Sequence, residues 1–235
     1  NENSAMRFLA LYDNVLDGSI PRTIRNLKAL THLDLTGNEL TGMIPADIGD
    51  MTNLTYIFLS ENNFAQGNVP NFFVSLPQLR ELSLAKTNLV GTIPEWIDAL
   101  GKLVLLDLSR NRLDGTIPSD VWNLRNLQYL LLQRNRLSGT ISDSFSRLPD
   151  LKMLLLDNNN LAGNLQSACA SVKIDTFVAD CGGADAPVTC PCCTLCCSPG
   201  DNCNDDLLYG NLDPVWELNY TRSSYSFSPL ILDEN

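Results

Sequence analysis

Residues 30–45 read LTHLDLTGNELTGMIP, and six other stretches of the chain repeat this pattern. The position held by Asn38 recurs at steps of 24 or 25 residues, at Asn14, Asn38, Asn62, Thr87, Asn111, Asn135 and Asn159. A fixed period in that range is the signature of a solenoid, in which each repeat packs only against its neighbours. The chain is therefore predicted to work by binding through an extended surface.

Each part of the repeat predicts its own local structure. Leu30, Leu33 and Leu35 are separated by polar residues, which predicts a short strand with one apolar face. Seven such strands, stacked, would bury a continuous leucine core. Asn38 is predicted to satisfy backbone groups that the following turn leaves unpaired, because an amide both donates and accepts. Residues 46–51 fit a short helical or 3₁₀ turn before the next strand.

Three segments carry a resemblance to a known family: LTGMIP (40–45), LVGTIP (89–94) and LDGTIP (113–118). They resemble the plant-type leucine-rich repeat, which occurs in secreted polygalacturonase inhibitors and in the ectodomains of receptor kinases. The resemblance implies an α/β repeat solenoid, a right-handed superhelix with a parallel β-sheet on its concave face and 3₁₀ or short helices on its convex face. We expect seven repeats in residues 1–166, and a degenerate last repeat with a cysteine-rich cap and an acidic, aromatic tail in residues 167–235.

The repeats depart from the pattern in three places. Residues 62–79 hold one extra residue, and Thr87 stands in the asparagine column. Thr87 is expected to keep a hydrogen bond but to have fewer partners. The extra residue is either a tolerated bulge on the loop side or a kink that shapes a binding surface. Ser142 replaces a proline, and residues 174–179 keep the spacing of an eighth, degenerate strand.

The cysteines are confined to the C-terminal part of the chain: Cys169, Cys181, Cys190, Cys192, Cys193, Cys196, Cys197 and Cys203. An even number in a leucine-poor segment predicts a disulfide-rich cap, because such segments bury too little apolar surface to order themselves. Zinc is the alternative, since Cys193 and Cys196 form a C-x-x-C motif. Residues 201–206 only weakly resemble a calcium loop, which would need a glycine and a distal glutamate. The disulfide connectivity stays open.

The sequence also bears on the compartment. ADCGG (179–183) followed by CPCCTLCC (190–197) resembles the C-terminal tail of secreted or membrane-tethered leucine-rich repeat proteins of diatoms and related algae. Asn53 and Asn219 begin N-x-T glycosylation acceptors, which agree with secretion. The chain starts within a repeat and has no signal peptide, so we expect a piece of a longer extracellular or cell-surface protein, with any membrane anchor or kinase outside this sequence.

Charge and motifs exclude several classes of function. Nine of the 27 acidic residues but only one of the 16 basic residues lie in 180–235, which disfavours nucleic acid and anionic membranes as partners. The chain contains no nucleophile elbow, zinc-protease motif, phosphate-binding loop or Cys/His pair. The single histidine, His32, is expected to be a surface residue without a catalytic role. A non-enzyme with no cofactor and no metal is predicted.

The positions between the core leucines are predicted to form columns on the concave face, one residue per repeat. They indicate an exposed apolar and aromatic patch beside three cations, Lys86, Arg110 and Arg134, which we call the basic ladder. Such a surface suits a protein or peptide ligand with an anionic group. Alternatively, local acids such as Asp107 neutralise the ladder and the C-terminal tail covers the patch. The candidate ligand-binding residues are Tyr56, Phe58, Lys86, Leu105, Arg110, Tyr129, Leu131, Arg134, Met153 and Leu155.

The leading hypothesis is an extracellular, non-catalytic recognition module that binds a peptide, protein or glycan on the concave face. A second hypothesis is a structural or adhesive protein that self-associates into a matrix or filament. A third, an inhibitor of a secreted hydrolase, is implied by the family resemblance alone.

Overall fold

The structure is a computed structural model that describes residues 6–170 and 172–198. The chain divides into two units, 1–199 and 200–235, and the described residues all belong to the first. The predictions for Cys203, Asn219 and the acidic, aromatic tail lie outside the described residues. No helix in the described ranges is long and apolar enough to cross a membrane.

The described residues contain short strands, 3₁₀ helices and one short α-helix. The strands are β1 (Phe8–Ala10), β2 (His32–Asp34), β3 (Tyr56–Phe58), β4 (Glu81–Ser83), β5 (Val90–Thr92), β6 (Leu105–Asp107), β7 (Arg112–Asp114), β8 (Tyr129–Leu131), β9 (Ser138–Thr140), β10 (Met153–Leu155), β11 (Asn160–Asn164), β12 (Thr176–Ala179), β13 (Val188–Thr189) and β14 (Leu195–Cys196). The 3₁₀ helices are Arg22–Asn26, Ala46–Asp50, Asn71–Ser75, Glu95–Ala99, Ser119–Asn123 and Asp143–Arg147, and α1 is Gln166–Cys169.

One long parallel sheet forms the concave side of the solenoid. Its strand order is β1-β2-β3-β4-β6-β8-β10-β12-β14, so each repeat contributes one strand, as predicted. Equivalent positions pair directly, with Leu33 opposite both Leu9 and Ile57. The predicted eighth strand is confirmed as β12. The sequence pattern did not predict β14, because this two-residue strand lies among cysteines and carries no leucine spacing of its own.

The core is a column of apolar side chains between the sheet and the 3₁₀ helices. Leu33, Ile57 and Leu82 on the sheet side are fully buried, as are Ile48 and Phe73 on the helix side. Five of the six 3₁₀ helices follow a proline with φ between −62° and −75°. The sixth follows Ser142, whose side chain accepts a hydrogen bond from Ser144 N at 3.2 Å. The predicted solenoid is confirmed.

The asparagine column joins each repeat to the one before it. Asn111 Nδ2 donates to Leu108 O in its own repeat at 3.0 Å and to Leu84 O in the preceding repeat at 2.8 Å. Its Oδ1 accepts from Leu89 N at 3.0 Å. Equivalent bonds to both repeats are made by Asn38, Asn62, Asn135 and Asn159.

Thr87 interrupts this column. Its hydroxyl donates to Leu84 O at 2.6 Å, within its own repeat, which confirms the expectation of fewer partners. The neighbouring Asn88 Nδ2 donates to Phe64 O at 3.0 Å. A cleft of about 230 Å³ opens beside Thr87, between Met43 and Phe72. Strands β3 and β4 still pair in register, so the extra residue of 62–79 is a bulge on the loop side.

The C-terminal cap continues the solenoid. Strand β13 pairs with β11, and β14 pairs with β12. The cap is held by disulfides joining Cys169 to Cys192, Cys181 to Cys196 and Cys190 to Cys193, and Cys197 is disulfide-bonded as well. The described sulfur atoms close enough together to hold a metal ion all belong to these three bonds. The disulfide prediction is therefore confirmed for the described cysteines.

Candidate functional site

The concave face is organised in columns that follow the strand register. One column starts at Phe8 and continues through His32, Tyr56, Glu81, Leu105, Tyr129 and Met153. The column beside it contains Asp34, Phe58, Ser83, Asp107, Leu131 and Leu155. The structure therefore brings the predicted site residues of each column together in successive repeats.

The prediction of an exposed apolar patch on the concave face is wrong. Leu105, Leu131, Met153 and Leu155 are only 1–5% exposed, and Phe58 is 5% exposed. Neighbouring strands lie about 4.8 Å apart, which places each of these side chains between the corresponding residues of the adjacent repeats. Leu131, for example, lies between Asp107 and Leu155. The two aromatic candidates that keep more solvent contact are the half-buried Tyr56 and Tyr129.

His32 is also not the surface residue that was expected. It is 8% exposed, and its ring lies 4.2 Å from the centroid of Phe8 and 4.1 Å from that of Tyr56. Its Nδ1 is 2.7 Å from the hydroxyl of Thr31. Burial lowers the pKa of His32 to about 4, because the charged ring would lose its hydration. The imidazole is therefore neutral at pH 7 and acts as one ring of an aromatic stack.

A chain of hydrogen-bonded polar side chains crosses repeats three to five. Ser60 Oγ and Ser83 Oγ are 2.6 Å apart, and Ser83 Oγ donates to Asp107 Oδ2 at 2.9 Å. Burial raises the pKa of Asp107, while hydrogen bonds from Ser109 and Ser83 and the charge of Arg110 oppose that rise. Sequence reasoning missed this chain. The signal was present, since small hydroxyl residues stand at adjacent concave positions in consecutive repeats.

The basic ladder occupies a third column, just after the strands. Lys86 and Arg110 are exposed and Arg134 is half-buried. Lys86 Nζ lies 3.0 Å from Glu61 Oε2, with both side chains more than half exposed. Arg110 acts electrostatically on Asp107, and Arg134 acts on Asp157. Glu61 therefore offsets the charge of Lys86, whereas the expected pairing of Arg110 and Arg134 with local acids such as Asp107 stays a prediction.

The backbone at the ladder adopts an unusual conformation. Lys86, Arg110 and Arg134 have φ of 54°, 55° and 59°, in the left-handed region. The whole column shares this conformation, since Asp13, Gly37, Glu61 and Asn158 have φ of 53°, 64°, 55° and 55°. Glycine and asparagine are the residue types that tolerate it best. A long side chain at such a position costs on the order of 1 kcal/mol. Three consecutive repeats thus carry a cation where glycine would fold at least as easily.

Comparisons with known proteins agree with this architecture. Residues 4–64 match the leucine rich repeat family, and residues 78–100, 102–124 and 126–148 each match a single leucine rich repeat. The chain belongs to the leucine-rich repeat family. No curated protein sequence matches it.

Several solved structures of plant receptors resemble this leucine-rich repeat chain. The plant peptide hormone receptor RGFR1, in complex with RGF2, is 35% identical over 74% of the chain with a TM-score of 0.67. The ectodomain of the Arabidopsis thaliana membrane receptor kinase GASSHO1/SCHENGEN3, in complex with CASPARIAN STRIP INTEGRITY FACTOR 2, is 34% identical over 74%, with a TM-score of 0.68. The Arabidopsis receptor kinase HAESA, with an IDA peptide hormone ligand, is 38% identical over 68%, with a TM-score of 0.64.

These receptors are much longer than the present chain. The matched region covers 28% of the RGFR1 chain, 21% of the GASSHO1/SCHENGEN3 chain and 26% of the HAESA chain. The likeness therefore concerns a set of plant-type repeats, and the tail resemblance to diatom proteins stays a hypothesis.

Proposed function

We propose that this leucine-rich repeat chain is an extracellular recognition module that binds an extended peptide along its concave face. The observation that carries the proposal is the basic ladder, in which Lys86, Arg110 and Arg134 follow one another in a single column. The similar plant receptors were solved with RGF2, CASPARIAN STRIP INTEGRITY FACTOR 2 and an IDA peptide hormone. The disulfide-bonded cap supports an oxidising, extracellular compartment.

Because the apolar columns are buried, most of the affinity for a peptide would come from polar and half-buried aromatic side chains. Because Leu105, Leu131 and Leu155 are already buried, they supply a rigid floor and little new apolar contact. The ladder and the half-buried rings of Tyr56 and Tyr129 then provide the contacts that change most on binding. Arginine suits this role, since its planar guanidinium can hold a carboxylate through two parallel hydrogen bonds.

The backbone conformation at the ladder is compatible with a binding role. A cation that only stabilised the fold would have to outweigh the cost of its left-handed backbone. The pair of Lys86 and Glu61 is exposed, and exposed pairs contribute only about 0–1 kcal/mol. The stabilisation available from this pair is thus no larger than the backbone cost, which Glu61 shares with a φ of 55°.

Replacing two ladder residues by glycine tests the proposal. A randomised decapeptide library would be selected on the wild-type chain, and the enriched peptides titrated calorimetrically against wild type and the double variant Arg110→Gly/Arg134→Gly. We expect enriched peptides to carry acidic groups and to bind the variant at least about tenfold more weakly, which is about 1.4 kcal/mol. The free energy of unfolding should change by no more than about 1 kcal/mol per site.

Asn158→Gly is the matched control, because Asn158 shares the column and the backbone conformation but carries no charge. It should leave the affinity unchanged. Selected peptides that lack acidic groups, or that bind the double variant as tightly as wild type, would contradict the role of the ladder.

The similar proteins support peptide or protein partners and give no support to self-association or to a glycan ligand. Inhibition of a secreted hydrolase still rests on the family resemblance alone. An inhibition assay with plant cell-wall hydrolases addresses it independently of the peptide titration.

A further inference from the structure

We propose that Asn53 carries an N-linked glycan, and that this glycan stands on the rim of the concave sheet opposite the basic ladder. Asn53, Leu54 and Thr55 form the N-x-T acceptor pattern. The pattern alone occurs by chance in many chains, so the proposal depends on where the structure places the amide.

The Asn53 amide lies at the surface, in the turn between the 3₁₀ helix Ala46–Asp50 and β3. Asn53 is exposed, whereas Leu54 beside it is fully buried and fixes the turn to the core. Asn53 Nδ2 donates to Lys28 O at 2.8 Å, and Thr55 Oγ1 donates to Asn53 O at 3.3 Å. A glycosylated amide keeps one N–H, so the sugar can be added without removing the bond to Lys28 or opening the core.

The direction of the strands decides on which rim the glycan stands. All strands of the concave sheet are parallel, so their starts form one rim and their ends form the other. Asn53 precedes β3, whereas Lys86 and Arg110 follow β4 and β6. Within one repeat the two rims are separated by a three-residue strand and its flanking residues, which together span at most roughly 25 Å. A glycan at Asn53 would therefore flank the starting rim and leave the ladder's rim uncovered.

The chain offers a matched position in the sixth repeat. Asn126 is exposed and its Nδ2 donates to Gly101 O at 2.7 Å, as Asn53 Nδ2 does to Lys28 O. The difference is Gln128, which stands where the third repeat has Thr55. Thr31 holds the same position in the second repeat, so a threonine fits there.

The test expresses the full chain through the secretory pathway of insect cells and maps occupied asparagines by peptide mass spectrometry after enzymatic deglycosylation. Wild type should be glycosylated at Asn53 in most molecules. Asn53→Gln and Thr55→Ala should each remove that glycan, and Thr55→Ala does so while keeping the asparagine amide. Gln128→Thr should add a glycan at Asn126.

Site-resolved peptides keep Asn219, which lies outside the described residues, separate from this result. An unmodified Asn53 in secreted wild type overturns the proposal. If Asn126 is glycosylated in the Gln128→Thr variant while Asn53 is not, the rim is accessible and the assignment of Asn53 is wrong. Neither outcome depends on whether the chain binds a peptide.

Discussion

Two junctions between neighbouring repeats differ in their loop-side hydrogen bonds but not in their strand pairing. The first joins repeats four and five, and the second joins repeats three and four. At the first, Asn111 bonds to Leu84 O and Leu89 N of the preceding repeat. At the second, the Thr87 hydroxyl bonds within its own repeat. The strands pair in register at both junctions. Strand pairing and the asparagine column therefore stabilise two sides of the same coil separately.

Two other contacts between repeats three and four partly replace the missing amide at Thr87. Lys86 pairs with Glu61, and Asn88 reaches Phe64 O. Exposed ion pairs contribute about 0–1 kcal/mol, whereas a buried amide that satisfies several backbone groups is costly to lose. The loop side of the junction between repeats three and four is therefore the weaker of the two, and the 230 Å³ cleft lies there.

The largest expected effect is at the intact junction. Asn111→Ala should lower the free energy of unfolding by roughly 3–5 kcal/mol, because it leaves several buried backbone groups unpaired. Urea unfolding followed by circular dichroism measures this. Asn14→Ala is the control in the same column, since Asn14 is exposed and bonds to Leu11 O and Tyr12 O in its own repeat. Similar losses for both variants would show that bonds between repeats are not what matters.

The pH dependence of the free energy of unfolding tests the burial of His32, which lies on the concave sheet of the second repeat. Burial lowers the pKa of His32 from 6.5 to about 4, so the unfolded chain binds a proton more readily than the folded one. The stability from the neutral ring is complete above pH 6.5 and is lost as the pH falls towards 4, by up to about 3 kcal/mol.

The variant His32→Phe isolates the contribution of His32 protonation to the free energy of unfolding, because phenylalanine keeps an aromatic ring in the stack and cannot be protonated. Wild type minus variant stability, measured by urea unfolding between pH 7 and pH 4, should fall with decreasing pH. The carboxyls of Asp34 and Asp107, whose pKa values burial raises, cancel in this difference. A difference that stays constant over this range would contradict the burial of His32 in the folded protein.

The smallest expected effect is a repair of the irregular junction. Thr87→Asn should raise the free energy of unfolding by about 1 kcal/mol if the amide reaches the backbone of the third repeat. Thr87→Val, which removes the hydroxyl bond to Leu84 O, should lower it by about the same amount. If Thr87→Asn destabilises the chain, the extra residue of 62–79 has moved the third repeat beyond reach of an amide.

Much of the fold could be predicted because the same sequence pattern recurs in seven repeats. The leucine spacing predicted the concave strands, residues 46–51 predicted a short helical or 3₁₀ turn, and Thr87 was expected to have fewer hydrogen-bond partners than the asparagines of its column. All of these depend on contacts within a repeat or between identical positions of neighbours. The strand β14 escaped prediction, since pairing with β12 and a disulfide to Cys181 hold it in place.

The candidate site was predicted less well, because the solvent exposure of a concave side chain depends on residues outside its own repeat. The sequence determined by itself which side chains share a column, including Lys86, Arg110 and Arg134. Only the tertiary structure decided that His32 lies between two rings, that Leu131 and Leu155 are buried, and that Ser83 bonds to Asp107. The ring contacts of His32 and the bond from Ser83 to Asp107 join side chains about 24 residues apart in sequence, which the stacking of repeats brings within a few ångströms.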